Sequence, residues 1–233
     1  MNIEIVEKTL RQHADKKQAK LLQRFFKTGP GQYAEGDIFL GIKVPVMRRL
    51  AKKFEDLPLE SVVEILQSPI HEMRFLALII LISQYHKADD LGKEKIYRLY
   101  LSNTKFINNW DLVDVSAKHI VGGFLMDKDK VVLSQLARST SLWERRIAIL
   151  ATFYFIGHDQ FEESLKIAQI LLLDKHDLIH KAVGWMLREV GKKDIFIEEK
   201  FLKKHCSVMP RTMLRYAIER FPEPKRQAYL KGV

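Results

Sequence analysis

Ile179-His180-Lys181-Ala182-Val183 sets the architecture, because it recurs. Arg74-Phe75-Leu76-Ala77-Leu78, Arg145-Arg146-Ile147-Ala148-Ile149 and Leu214-Arg215-Tyr216-Ala217-Ile218 place the same small residue inside a similar apolar stretch. Ala182 follows Ala148 by 34 residues and precedes Ala217 by 35. Ala77 lies 71 residues before Ala148, two such periods, so a skipped repeat would centre near Val113. A period of about 35 residues filled by two helices marks an α-solenoid of the HEAT, armadillo or tetratricopeptide kind, in which each pair buries its apolar face against the next. Alanine at the anchor lets neighbouring helices approach closely. The repeat is degenerate, so it specifies the helix-pair array and not the repeat type.

Start signals agree with an all-α chain. Pro45, Pro58, Pro69 and Pro210 each sit where a first turn begins and a missing N–H costs nothing. Ser141-x-x-Glu144 and Asp159-x-x-Glu162 have the form of capping boxes. Apolar residues then follow at three and four spacing, as in Ile147, Leu150, Ala151 and Tyr154. These patterns predict helices over 3–27, 44–54, 58–67, 70–86, 90–102, 109–126, 129–138, 142–156, 160–173, 176–190, 194–205, 210–221 and 224–231. Gly29-Pro30-Gly31 and Gly36 punctuate one long loop, 28–41. No linker or low-complexity segment appears, so residues 1–233 are expected to form a single repeat domain of stacked antiparallel helix pairs with a concave basic groove.

Composition narrows the partner. Hydrophobic residues make up 47% and charged residues 29% of the chain, as in ordinary globular proteins. Lysine and arginine number 39 against 29 acids, for a formal net charge of +10. That balance suits a polyanion, because neutralising phosphates releases counterions. The single cysteine, Cys206, rules out an internal disulfide framework and suits a reducing compartment. The N-terminal stretch lacks a basic region followed by an apolar core, and the longest apolar run, Phe75 to Ile82, is too short to cross a bilayer. A cytoplasmic location without membrane attachment is therefore expected. No phosphate-binding glycine loop, dinucleotide fingerprint, His-Glu-x-x-His element or cysteine pair occurs, so neither cofactor nor metal is expected.

The candidate chemistry starts at Asn109-Trp110-Asp111-Leu112-Val113-Asp114, at the skipped repeat. Trp110 and Asp114, spaced i, i+4, share one helix face. An acid in the first turn of a helix can simply serve its N-terminus, but Asp111 holds the better position for that role. Tryptophans are by default core residues; Trp143, just past the Ser141 cap, reads as structural. Arg145 and Arg146 diverge by about 100° on their helix, so one can face a groove and the other solvent or an acid. Lys181, Trp185 and Arg188 set two cations beside an indole at helical spacing, a mix common at nucleic-acid surfaces and also produced by chance on basic helices. The last third is densely basic and includes Arg211 and Arg215. Successive repeats would bring Trp110 and Asp114, Arg146, and Trp185 with Arg188 to neighbouring positions. Lys43, Lys181, Arg188, Arg211 and Arg215 are the candidate DNA contacts.

Four stretches together carry a family resemblance: Phe39-Leu40-Gly41-Ile42-Lys43-Val44-Pro45, Trp110-Asp111-Leu112-Val113-Asp114, Trp143-Glu144-Arg145-Arg146-Ile147-Ala148-Ile149-Leu150 and Gly184-Trp185-Met186-Leu187-Arg188-Glu189. In this order and spacing they resemble the AlkD-like family of DNA alkylation repair glycosylases, which are built from HEAT-like helix pairs. The resemblance implies excision of cationic N3- or N7-alkylated purines from double-stranded DNA by a monomer. It implies Asp114 as the catalytic acid, with Trp110, Trp185 and Arg146 holding the damaged nucleotide. Two positions depart from the pattern: a tyrosine of the family's first helix is Phe25 here, and a glutamine after the Phe-Leu-Gly-Ile element is Lys43. Both bear on substrate range. Members without glycosylase activity exist in the family, so a non-catalytic reader of damaged or branched DNA is the second reading, and a protein-interaction scaffold the third.

Overall fold

A computed structural model describes residues 3–232; Met1 and Asn2, the first residues of the stretch read as lacking a leader, lie outside the described residues, as does Val233. Among the described residues the only extended pairing is an isolated bridge between Ile38 and Ile70, and all other regular structure is helical. The chain forms two compact units divided between Ser116 and Ala117. The division falls within a helix, which is why no linker composition betrays it.

The first unit contains α1 (Ile3–Arg11), α2 (Lys16–Phe25), α3 (Val44–Lys53), α4 (Leu59–Leu66), α5 (His71–Lys87), α6 (Asp90–Ser102) and nearly all of α7 (Trp110–Ala117). The helix α5 is its hub: α1, α3, α4 and α6 all pack on it. Leu76, Ala77, Leu78, Ile80 and Leu81 are fully buried, so the apolar run lies in the core and spans nothing. The expected helix 3–27 is two helices, because the Asp15 side chain accepts the amides of Lys17 (2.8 Å) and Gln18 (3.1 Å) and starts α2 afresh. The loop 28–41 ends in a fixed segment. The Glu72 carboxylate accepts N–H groups from Leu40 (2.9 Å), Gly41 (2.7 Å) and Ile42 (3.2 Å). Gly41 has φ +86°, and a Cβ there would run into the Asp15 carbonyl and approach the Ala19 nitrogen to 2.6 Å. Only glycine allows that approach, which seats α2 on the Phe39–Ile42 segment.

The second unit is two-layered. It begins with the last residue of α7 and a π-helical turn, Lys118–Gly122, followed by α8 (Gly123–Leu125) and α9 (Val131–Leu136). The expected helix 109–126 is therefore interrupted; at the wide turn Gly122 lies so close to Ala151 and Tyr154 that a Cβ would overlap both. Next come α10 (Leu142–Gly157), α11 (Glu162–Ile170), α12 (Asp177–Lys193), α13 (Ile195–His205), α14 (Arg211–Ala217) and α15 (Glu223–Lys231). In one layer α12 packs between α10 and α14, while α9, α11 and α13 cover them. The anchors Ala148, Ala182 and Ala217 have no exposed surface, nor does Ala77 in the first unit. The repeat thus marks the buried helix of each pair, as expected. Ser141 caps α10 through the Glu144 amide. Asp159 caps nothing: it takes a left-handed conformation (φ +58°), pairs with Lys193 at 3.0 Å, and leaves Phe161 as the cap residue of α11. No described helix is long and apolar enough to cross a membrane.

Candidate active site

In the first unit a cavity of about 600 Å³ opens between α2, α3, α5 and α7. Trp110, Asp111 and Asp114 form one wall, Phe25, Phe26, Phe39 and Phe75 supply flat apolar surface, and Lys43 and Arg48 bring cations. Three predicted site residues, Trp110, Asp114 and Lys43, thus line one cavity. Asp114 and Trp110 are both half-buried.

The rings are ordered as a column. His71 stacks on Phe39 at 4.4 Å, Phe39 on Phe26 at 5.0 Å, and Phe26 on Trp110 at 5.0 Å with the planes 17° apart. Phe25 meets Trp110 edge-on at 5.8 Å. Trp110 is therefore held by neighbours on α2 and just beyond its end while still presenting surface to the cavity.

Beneath the column lies a buried charge network that the sequence alone does not reveal. His71 Nδ1 is 3.1 Å from Asp37 Oδ2, and its Nε2 is 2.8 Å from Asp111 Oδ2. Arg74 donates to the other Asp37 oxygen, and Asn109 Nδ2 to Asp37 Oδ2 at 3.3 Å. Burial alone would lower the His71 pKa; the Asp111 and Asp37 carboxylates outweigh it and push it up to about 9. Burial likewise opposes ionisation of Asp37, yet His71 and Arg74 hold its carboxyl below the usual range. Asp111, expected to serve the helix start, also anchors the imidazolium. Its Oδ1 accepts the Leu112 amide at 2.9 Å while Oδ2 binds His71. No local spacing signals this network, since its partners lie 34 and 40 residues apart.

The second unit carries the remaining candidates. Arg146 on α10 is only 5% exposed and donates to the Leu178 carbonyl at 2.5 Å. Its neighbour Arg145 takes the acid, Asp174, at 2.6 Å. Trp185 on α12 is half-buried, edge-on to Phe153 at 5.6 Å, with its indole N–H on Glu189 at 3.0 Å. Lys181 pairs with Asp177 at 2.6 Å, and Arg188 with Glu219. Arg211 donates to the Leu230 carbonyl at 2.8 Å, and Arg215 is exposed. Gly184, next to Trp185, has a packing reason: a Cβ would strike the Met213 carbonyl and approach Tyr216 Cβ to 2.5 Å. Among the described residues no group of three or more His, Cys, Asp or Glu is placed to hold a metal ion.

Comparison with known proteins agrees with this fold. The chain is similar to a predicted DNA alkylation repair enzyme from Enterococcus faecalis, at 16% identity and a TM-score of 0.72, over 91% of this chain and 98% of that one. It is also similar to AlkD2 from Streptococcus mutans, at 17% identity and a TM-score of 0.56, over 88% and 98%. No curated protein matches it. A family model described as DNA alkylation repair enzyme matches residues 6–221, nearly the whole chain, and the chain belongs to that family.

Proposed function

We propose that this protein is a monofunctional DNA glycosylase that releases cationic N3- or N7-alkylated purines from double-stranded DNA. The observation that carries the proposal is the placement of Asp114 and Trp110 on one wall of an aromatic cavity. An alkylated purine bears a formal positive charge, so its glycosidic bond is already weak and its departure leaves oxocarbenium character on the sugar. Asp114 stabilises that charge and orients the water. The water oxygen bonds to C1′ as the C1′–N bond breaks, the bonding pair returns to the ring nitrogen, and the base leaves neutral. The water proton passes to the Asp114 carboxylate. No strong general acid is required, and the product is an abasic site. Trp110 packs an indole face near the cationic base, a contact worth about 0.5–2 kcal/mol. Trp185 and Arg146 of the second unit are assigned to the DNA by the family resemblance; the Leu178 carbonyl bond of Arg146 makes its role one of shaping the surface as well as charging it.

Duplexes carrying 7-methylguanine or 3-methyladenine test this directly. The wild-type protein releases free base, and Asp114→Asn binds the same duplex but releases base about 100-fold more slowly or worse. Equal excision by that variant removes Asp114 from the chemistry. Duplex binding without base release from any cationic lesion shifts the reading to a non-catalytic recogniser of damaged DNA.

A further inference from the structure

The helix α2 has no buried residue, yet it carries two of the most exposed large apolar side chains: Leu21 is 59% and Phe25 63% exposed. Spaced i, i+4, they form one ridge. Around them stand Lys16, Lys17, Lys20 and Arg24, and the helix contains no acid. A solvated helix gains nothing from Leu and Phe on such a ridge, so the pattern points to a covered surface. Two hollows flank it. Phe25, with Leu22 and Phe26, lines the acid-bearing aromatic cavity. Leu21 lines a second hollow of about 650 Å³, with Lys20, Arg24, Gln23, Thr28 and Gly29. One side of the ridge thus suits a flat cationic base and the other a phosphate backbone.

We infer that the Leu21–Phe25 ridge is a wedge that enters the base stack beside the lesion, while Lys20 and Arg24 take the adjoining phosphates. Apolar wedges of this kind unstack a base step so that more of the duplex meets the protein, and stacking on an aromatic residue is worth about tenfold or more in affinity. The inference rests on the duplex-DNA reading above but not on catalysis. Positive charge with an apolar ridge also suits an anionic membrane; DNA is favoured because Phe25 leans on Trp110 in the wall of the acid-bearing cavity.

The test uses the full chain and a duplex carrying a tetrahydrofuran abasic analogue, which cannot be cleaved at a glycosidic bond, with 2-aminopurine as the adjacent base. Saturating wild-type protein raises the 2-aminopurine fluorescence several-fold as the step unstacks. Phe25→Ala and Leu21→Ala, checked for an unchanged melting curve, lose most of that rise and bind about tenfold more weakly. Lys20→Ala with Arg24→Ala lowers the salt slope of binding by about 2. No rise at saturation, or a rise indifferent to both ridge substitutions, overturns the wedge and leaves the excision reading to its own assay. A ridge-dependent rise in a protein that releases no base supports the wedge and removes the glycosylase. Ridge-dependent binding to phosphatidylserine vesicles with no binding to the duplex overturns it in favour of a membrane surface.

Discussion

At the scale of single residues, His71 and Glu198 show how burial writes a pH dependence. The His71 ring is raised from an ordinary 6.5 to about 9 by the two carboxylates that grip it, so the stability it adds is fully present below about 6.5 and is lost as pH rises through about 9. The difference corresponds to on the order of 3 kcal/mol. Urea unfolding at pH 6 and pH 10 should therefore differ by that order in the wild type, and His71→Gln should flatten most of the difference; an unflattened profile would mean the ring is not charged in the folded protein. Glu198 runs the other way. It is 1% exposed, Gly191 leaves the room its carboxylate fills, and burial pushes its pKa from 4.5 to about 8. Its ionisation cost is absent below about 4.5 and complete above about 8, so stability falls across that window. Glu198→Gln should gain about 1–3 kcal/mol at pH 8, read as a rise of a few degrees in melting temperature; a loss would show that the charged form has a partner worth keeping. Neither effect can be read from residue identity, because each depends on what encloses the group.

At the scale of elements, close approach decides which substitutions are tolerated. Gly184→Ala pushes α12 from α14 against a backbone carbonyl, and should cost about 1–3 kcal/mol in chemical denaturation. Gly41→Ala meets both a left-handed conformation and the start of α2. It should cost about 2 kcal/mol or more and speed hydrogen exchange of the α2 amides selectively; protection equal to wild type would show that α2 is seated by something else. Both glycines stand in stretches that also carried the family resemblance, Phe39-Leu40-Gly41-Ile42 and Gly184-Trp185. Helix positions and the Ser141 cap were readable because period and caps are local. The break at Asp15, the π-helical turn and the left-handed Asp159 escaped, since each is settled by contact with another element: Gly41, Ala151 and Lys193 respectively.

At the scale of the whole molecule, the net charge of +10 makes any polyanion affinity a function of salt. If about six phosphates are neutralised, duplex affinity should drop about a thousandfold between 50 and 200 mM salt; a flat dependence would favour a protein-binding scaffold over a DNA enzyme. Charge, the spacing of four alanines and the order of helix signals are properties of the chain, so an all-helical, paired-repeat, basic protein was readable from residues alone, as was the Trp110–Asp114 pair on one helix face. Folding added the rest. It brought Asp37, His71 and Asp111 from three distant segments into one buried network, stacked Phe26 under Trp110, and buried Arg146 against a carbonyl. A charge state and a ring orientation follow from desolvation and distance, and both exist only once the chain has closed around them.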